Sequence, residues 1–83
     1  MRHYEYLLDV FDDGAVFHRF CESLKDMQSI IEEEHPRNFD ISFHNHEKWE
    51  LVLNFRNNKV LPGYDEVLVT KPLLTFLETV NKE

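Results

Sequence analysis

Five histidines, one cysteine and sixteen acids are the residues of this 83-residue chain that could do chemistry. The densest polar cluster is His44-Asn45-His46-Glu47. Residues two apart on a strand share a face, so His44 and His46 together could ligate zinc or another divalent ion. A site needs a third or fourth ligand, and Glu47, Glu50 and His35 are the nearby candidates in sequence. A hairpin tip carries histidine and asparagine equally well as plain solvent-exposed residues, and no metal site is assigned. Cys21 lies between a strand and a helix start, next to Glu22. It lacks the base and the electropositive setting that a nucleophilic thiol requires, and reads as a small buried filler. Asp9, Asp12 and Asp13 do not follow the spacing of a calcium loop. Asp12 and Asp13 belong to a turn, and Asp9 reads as a cross-strand ion-pair partner of His18. With only two glycines, no Gly-rich segment exists to cradle phosphates. No catalytic residue and no cofactor is expected.

What remains is binding by contact. Sixteen acids against nine bases give a net charge of -7, which opposes binding to DNA, RNA or anionic membranes. Sheet aromatics can stack single-stranded bases, but Arg37, Arg56, Lys59 and Lys48 are too few to build a basic groove. The expected partner is another protein with a basic surface. The residues proposed to meet it are the carboxylates Asp9, Asp12, Asp13, Glu22, Asp26, Glu32, Glu33 and Glu34, with Phe11, Val16 and Phe20 as an apolar patch. Glu32 to Glu34 fall in the last turn of a helix, against its dipole, and a run placed against a local preference hints at electrostatic use. The reading is a small acidic regulator or inhibitor. One version blocks a nucleic-acid-binding surface with carboxylates in place of phosphates, as small inhibitors from phage or other mobile elements do. The alternatives are a self-associating structural or assembly subunit, with a homodimer formed through the second face of the first hairpin, and a metal-binding domain centred on His44 and His46. No apolar run reaches membrane-spanning length and no signal-peptide pattern opens the chain. A single cysteine permits no intrachain disulfide. The expectation is a soluble cytoplasmic protein.

These residues need a scaffold, and its clearest signal is Phe39 to Phe55. Phe39, Ile41 and Phe43 alternate with Asp40, Ser42 and His44, and Trp49, Leu51, Leu53 and Phe55 alternate with Glu50, Val52 and Asn54. Period two marks two half-buried strands, joined by a polar loop over Asn45–Lys48. All seven large apolar residues share one face only if Phe43 sits opposite Trp49 or Leu51; opposite Glu50, one strand's apolar set would go to the wrong face. Upstream, Tyr4 to Phe11 and Ala15 to Phe20 flank Asp13-Gly14, a type I′ hairpin signal. That turn places Phe11 opposite Val16, Asp9 opposite His18 and Leu7 opposite Phe20. Both faces of this hairpin are then apolar, and the face with Leu7, Phe11, Val16 and Phe20 is a candidate exposed patch. Ser23 to Glu34 predicts a helix with Ser23 as N-cap, Asp26 in a capping-box position and Pro36 as the stop. A second helix is predicted from Lys71 to about Asn81, after Thr70 as N-cap and with Pro72 in the first turn. Asp65 to Val69 reads as a short fifth strand or as the lead-in to that helix. The order ββαββ(β)α implies one α+β domain over residues 1–83. It is a small two-layer sandwich, an antiparallel sheet of four to five strands with two helices packed on it.

Overall fold

The computed structural model describes residues 3–45 and 47–80. Its elements are β1 (Tyr6–Asp12), β2 (Ala15–Cys21), α1 (Leu24–Glu34), β3 (Phe39–Asn45), β4 (Lys48–Arg56), β5 (Lys59–Val60) and α2 (Lys71–Thr79). The strands form one antiparallel sheet in the order β2-β1-β3-β4-β5. Both helices cover the same face. Met27 and Ile31 of α1 and Leu73 and Leu77 of α2 share one core with Leu8, Val10, Phe39, Ile41, Leu53 and Phe55 of the sheet. This is the α+β two-layer architecture that the element order implies. No helix among the described residues is long and apolar enough to cross a membrane.

Local chemistry accounts for the first half of the chain. Asp13 and Gly14 both take positive φ (50° and 82°), as a type I′ turn requires. β1 and β2 then pair with Phe11 opposite Val16, Asp9 opposite His18 and Leu7 opposite Phe20. Helix α1 starts where its capping residues dictate. The Asp26 N–H donates to Ser23 Oγ (3.2 Å), and Asp26 Oδ2 accepts from the Glu22 N–H (3.0 Å). That is a capping box closed one residue further out than usual. The helix ends at His35, which adopts a left-handed conformation (φ 49°, ψ 51°) ahead of Pro36. Right-handed α is disfavoured before proline, and the left-handed C-cap satisfies that restriction while its N–H still reaches Ile31 O.

The second hairpin departs from the expected register. Phe39 faces Phe55 and Ile41 faces Leu53, but Ser42 then faces Leu51, so Val52 is an extra residue in β4. Phe43 consequently sits opposite Glu50 and His44 opposite Trp49. The rule that all the large apolar residues share one face holds only for an unbroken ladder, and one bulge inverts side-chain parity beyond it. Leu53 and Phe55 enter the core, whereas Trp49 and Leu51 turn to the opposite face. Val52 joins the core itself at 4% exposure. Its carbonyl, on the outer edge of β4, accepts from the Asp65 N–H (2.9 Å). The connection is also tighter than the loop expected over Asn45–Lys48. Asn45 pairs with Lys48, leaving a two-residue turn; His46 lies outside the described residues.

The fifth strand is Lys59–Val60, reached by a turn with both Asn57 (φ 52°) and Asn58 (φ 64°) in the left-handed region. Asp65 to Val69 is no strand but the lead-in to α2. Asp65 Oδ1 accepts from the N–H groups of Val67 (2.9 Å) and Leu68 (3.0 Å). An aspartate that bonds forward to its own backbone makes a turn at the expense of an extended chain. Helix α2 begins after Thr70, with Pro72 in its first turn, as the sequence predicts; Thr70 makes no side-chain capping bond.

Candidate interaction surface

With both helices on one side, the other side of the sheet is open. Its side chains form rows that follow the register across β2, β1, β3 and β4. One row is Phe20, Leu7, Ser42 and Leu51, and the next is His18, Asp9, Asp40 and Asn54. Phe11 and Val16 close one end, and His44 and Trp49 the other. The first row is apolar except for Ser42, whose small size leaves a trough that its larger neighbours cover. Phe20 and Trp49 approach from β2 and β4 to a ring distance of 5.7 Å, and Ser42 is buried beneath them. His44 stacks on Trp49 at 4.8 Å and Tyr4 packs on Phe20 at 5.7 Å. Much of this cluster stays wet: Val16 is 47% exposed, Phe20 48%, Trp49 37% and Leu51 57%.

The charges on this face are paired. Asp9 binds His18 Nδ1 across β1 and β2. Asp40 Oδ1 accepts from Asn54 Nδ2 (2.7 Å) and from the Arg56 guanidinium (2.8 Å). Arg56 also lies over the Phe11 ring at 4.8 Å, a cation–π contact.

The acids singled out in the sequence are spread over four regions. Asp9 is on the open face together with Phe11, Val16 and Phe20. Asp12 and Asp13 sit at the β1–β2 turn, bordering the Phe11–Val16 end. Glu22 and Asp26 lie at the start of α1 and Glu32, Glu33 and Glu34 at its end. Along the helix axis the nearest members of those two groups, Asp26 and Glu32, are about 9 Å apart. Glu34 is neutralised by Arg19 of β2 (2.8 Å), so the basic residue that interrupts the helix-side face of β2 offsets one carboxylate of the last turn. Asp12 and Glu34 line one groove of about 430 Å³ with Arg19 and Arg37, a site of mixed sign.

Trp49, Leu51 and His44 join this surface, although sequence parity assigned Trp49 and Leu51 to the core and left His44 as a metal candidate. The signal was present: Leu51-Val52-Leu53 puts an apolar residue where strict alternation demands a polar one, the mark of a bulge. Among the described residues, no three His, Cys, Asp or Glu side chains converge to hold a metal ion.

Cys21 is a buried free thiol whose Sγ lies 3.6 Å from Arg19 O. Burial, then the nearby Asp26 carboxylate, push its pKa up to about 11, with Arg19 opposing. The native thiol is expected to react with a disulfide reagent at pH 8 about a hundredfold or more slowly than the thiol in urea, as a colorimetric thiol assay reads directly. The same shift predicts alkaline lability. An unfolded thiol ionises near 9.0 and the folded one near 11, so the folded state retains a proton that the unfolded state has lost. Stability from this group is constant below pH 9 and falls as pH rises toward 11. Comparison with protein-family models, curated protein sequences and solved structures finds no match for this chain.

Proposed function

We propose that this chain is a small, acidic, non-enzymatic regulator or inhibitor that seats a partner protein on the open face of its sheet. The observation that carries the proposal is the exposed Phe20 and Leu51, with half-buried Leu7 in the same row and exposed Trp49 beside it, opposite the helical layer. Four strands about 4.8 Å apart and about seven residues long give the whole face roughly 400 Å², and the contiguous apolar part of such a face is the kind of surface that marks interaction sites. Tryptophan and other aromatics also dominate binding energy where interfaces have been dissected.

The partner's chemistry follows from charge. With a net charge of -7, and with Asp12 and Asp13 at the rim, the fitting surface has an apolar centre bordered by lysine and arginine. Such complementarity raises the association rate and rejects acidic competitors. A nucleic-acid-handling protein has this kind of surface, and inhibition by occupying it is the version of the proposal carried from the acidic composition. The free cysteine suits a reducing compartment, which supports placing the protein in the cytoplasm.

Affinity capture from a cell extract, with the wild-type chain and Leu51→Glu as baits, tests this. Leu51→Glu is expected to lose a protein that the wild type and a control substitution at Val67, 88% exposed on the α2 lead-in, both retain. Raising salt is expected to weaken that capture. A folded Leu51→Glu bait that recovers the same protein in the same yield at both salt concentrations overturns the proposal.

A further inference from the structure

The second unoccupied surface is the outer edge of β2, and its chemistry is that of the backbone. In a hairpin with a two-residue loop, the pair flanking the loop exchanges hydrogen bonds and the pairing then alternates. Ala15, Phe17, Arg19 and Cys21 therefore bond inward to β1, while Val16, His18 and Phe20 turn their N–H and C=O groups outward. The other side of β1 agrees with this phase. The Phe11 N–H donates to Asn38 O and the Glu5 carbonyl accepts from the His44 N–H, both at 2.9 Å and both away from β2.

Exposed sheet edges are normally blunted by brevity, bulges, proline or lysine. At one end of this sheet that is done. β5 is two residues long, and beyond it the chain covers β4 through the Leu61 N–H on Asn54 O and the Asp65 N–H on Val52 O. At the other end, among the described residues, the one device of this kind is the charge of Arg19, and Glu34 balances it. β2 has seven residues, pairs with β1 without a register shift, contains neither proline nor lysine, and ends the sheet order. Val16, Phe17 and Phe20 are about half exposed along it.

We propose that β2 pairs antiparallel with β2 of a second copy of this chain, about a two-fold axis through His18. The outward groups of Val16, His18 and Phe20 then bond to those of the partner's Phe20, His18 and Val16. The side chains match in the same register. Val16 meets the partner's Phe20 twice, and Phe17 lies against the partner's Arg19, whose charge Glu34 already balances. A slip of two residues in one direction opposes Arg19 to Arg19, and in the other sets Gly14 against Phe20. The axis is normal to the sheet, so the product is a continuous ten-stranded sheet with both open faces on one side. This inference does not depend on the partner proposed for the open face. The two also respond oppositely to salt: each copy carries -7, so screening strengthens self-association and weakens capture of a basic partner.

Sedimentation equilibrium of the full chain at up to about 0.5 mM, together with amide exchange, tests it. The expected result is twice the 10.0 kDa chain mass, with slowed exchange at the outward amides of Val16, His18 and Phe20. Val16→Lys, which places a lysine on the edge, is expected to weaken the dimer about tenfold or more with unchanged circular dichroism, while Leu51→Glu leaves it intact. A wild-type monomer throughout, or a dimer broken by Leu51→Glu and not by Val16→Lys, overturns the proposal. Should Val16→Lys fail to fold, fast exchange at those three amides in the wild type overturns it alone.

Discussion

Phe55→Ala is expected to destabilise the fold by about 3–5 kcal/mol, whereas Leu51→Ala, on the same strand, is expected to change it by less than about 0.5 kcal/mol. Phe55 is fully buried and stacks on Phe39 with ring centroids 4.5 Å apart and planes 19° from parallel. The pair sits under both helices, where truncation leaves a cavity that the neighbouring Leu53 and Val10 cannot fill without leaving their own contacts. A domain of this length has roughly 4–12 kcal/mol in total, so the variant is expected to lose a large share of it, down to marginal stability at the lower end of that range. Leu51 lies beyond the Val52 bulge and faces water. In an unbroken ladder Leu51 would be a core residue, and its truncation would cost about 2–5 kcal/mol. Urea titrations of the two variants therefore measure the bulge itself: equal losses would mean that Leu51 and Phe55 share a face and that the open surface described here does not exist.

The second large effect is expected at Arg56. Its guanidinium donates to Asp40 Oδ1 (2.8 Å), Phe39 O (3.0 Å) and Phe55 O (2.8 Å), and lies over the ring of Phe11. One side chain thus ties the end of β4 to β3 and β1. Arg56→Ala leaves Asn54 as the donor to the Asp40 side chain, which is 15% exposed, and strips two backbone carbonyls of a partner. The expected loss is about 2–3 kcal/mol. Lysine is expected to recover only part of it: all three acceptors meet the one nitrogen Nη1, which an ammonium can approach, but the guanidinium plane over Phe11 is lost. The pairing of Asp40 with Arg56 is checked by a double-mutant cycle with Asp40→Asn in urea. A coupling near zero would assign the loss to the carbonyl and aromatic contacts instead.

How far the molecule could be read without coordinates depends on the range of the interaction concerned. The Asp13-Gly14 turn, the Ser23 cap, the stop at Pro36 and the start after Thr70 are all set by residues within four positions of one another. They were legible because backbone sterics and short hydrogen bonds decide them. The β1–β2 register followed from the turn, and with it the row of Leu7, Phe11, Val16 and Phe20 that begins the open face. What escaped was decided across the sheet. Asp65 bonds to backbone around it and to the carbonyl of Val52, so the chain past β5 crosses as turns and the fifth strand ends at Val60. The bulge at Val52 reassigns Trp49 and Leu51, and no pairwise alternation rule contains it; the apolar Val52 marked its place but not its consequence. The acids are the clearest case. Composition alone determined that this chain carries a strong negative charge, but only the packing of α1 over the sheet decided that Asp9 would face away from Glu32 to Glu34, with Arg19 drawn to Glu34. Charge is a property of the sequence, whereas a surface is made by the residues that tertiary packing leaves side by side.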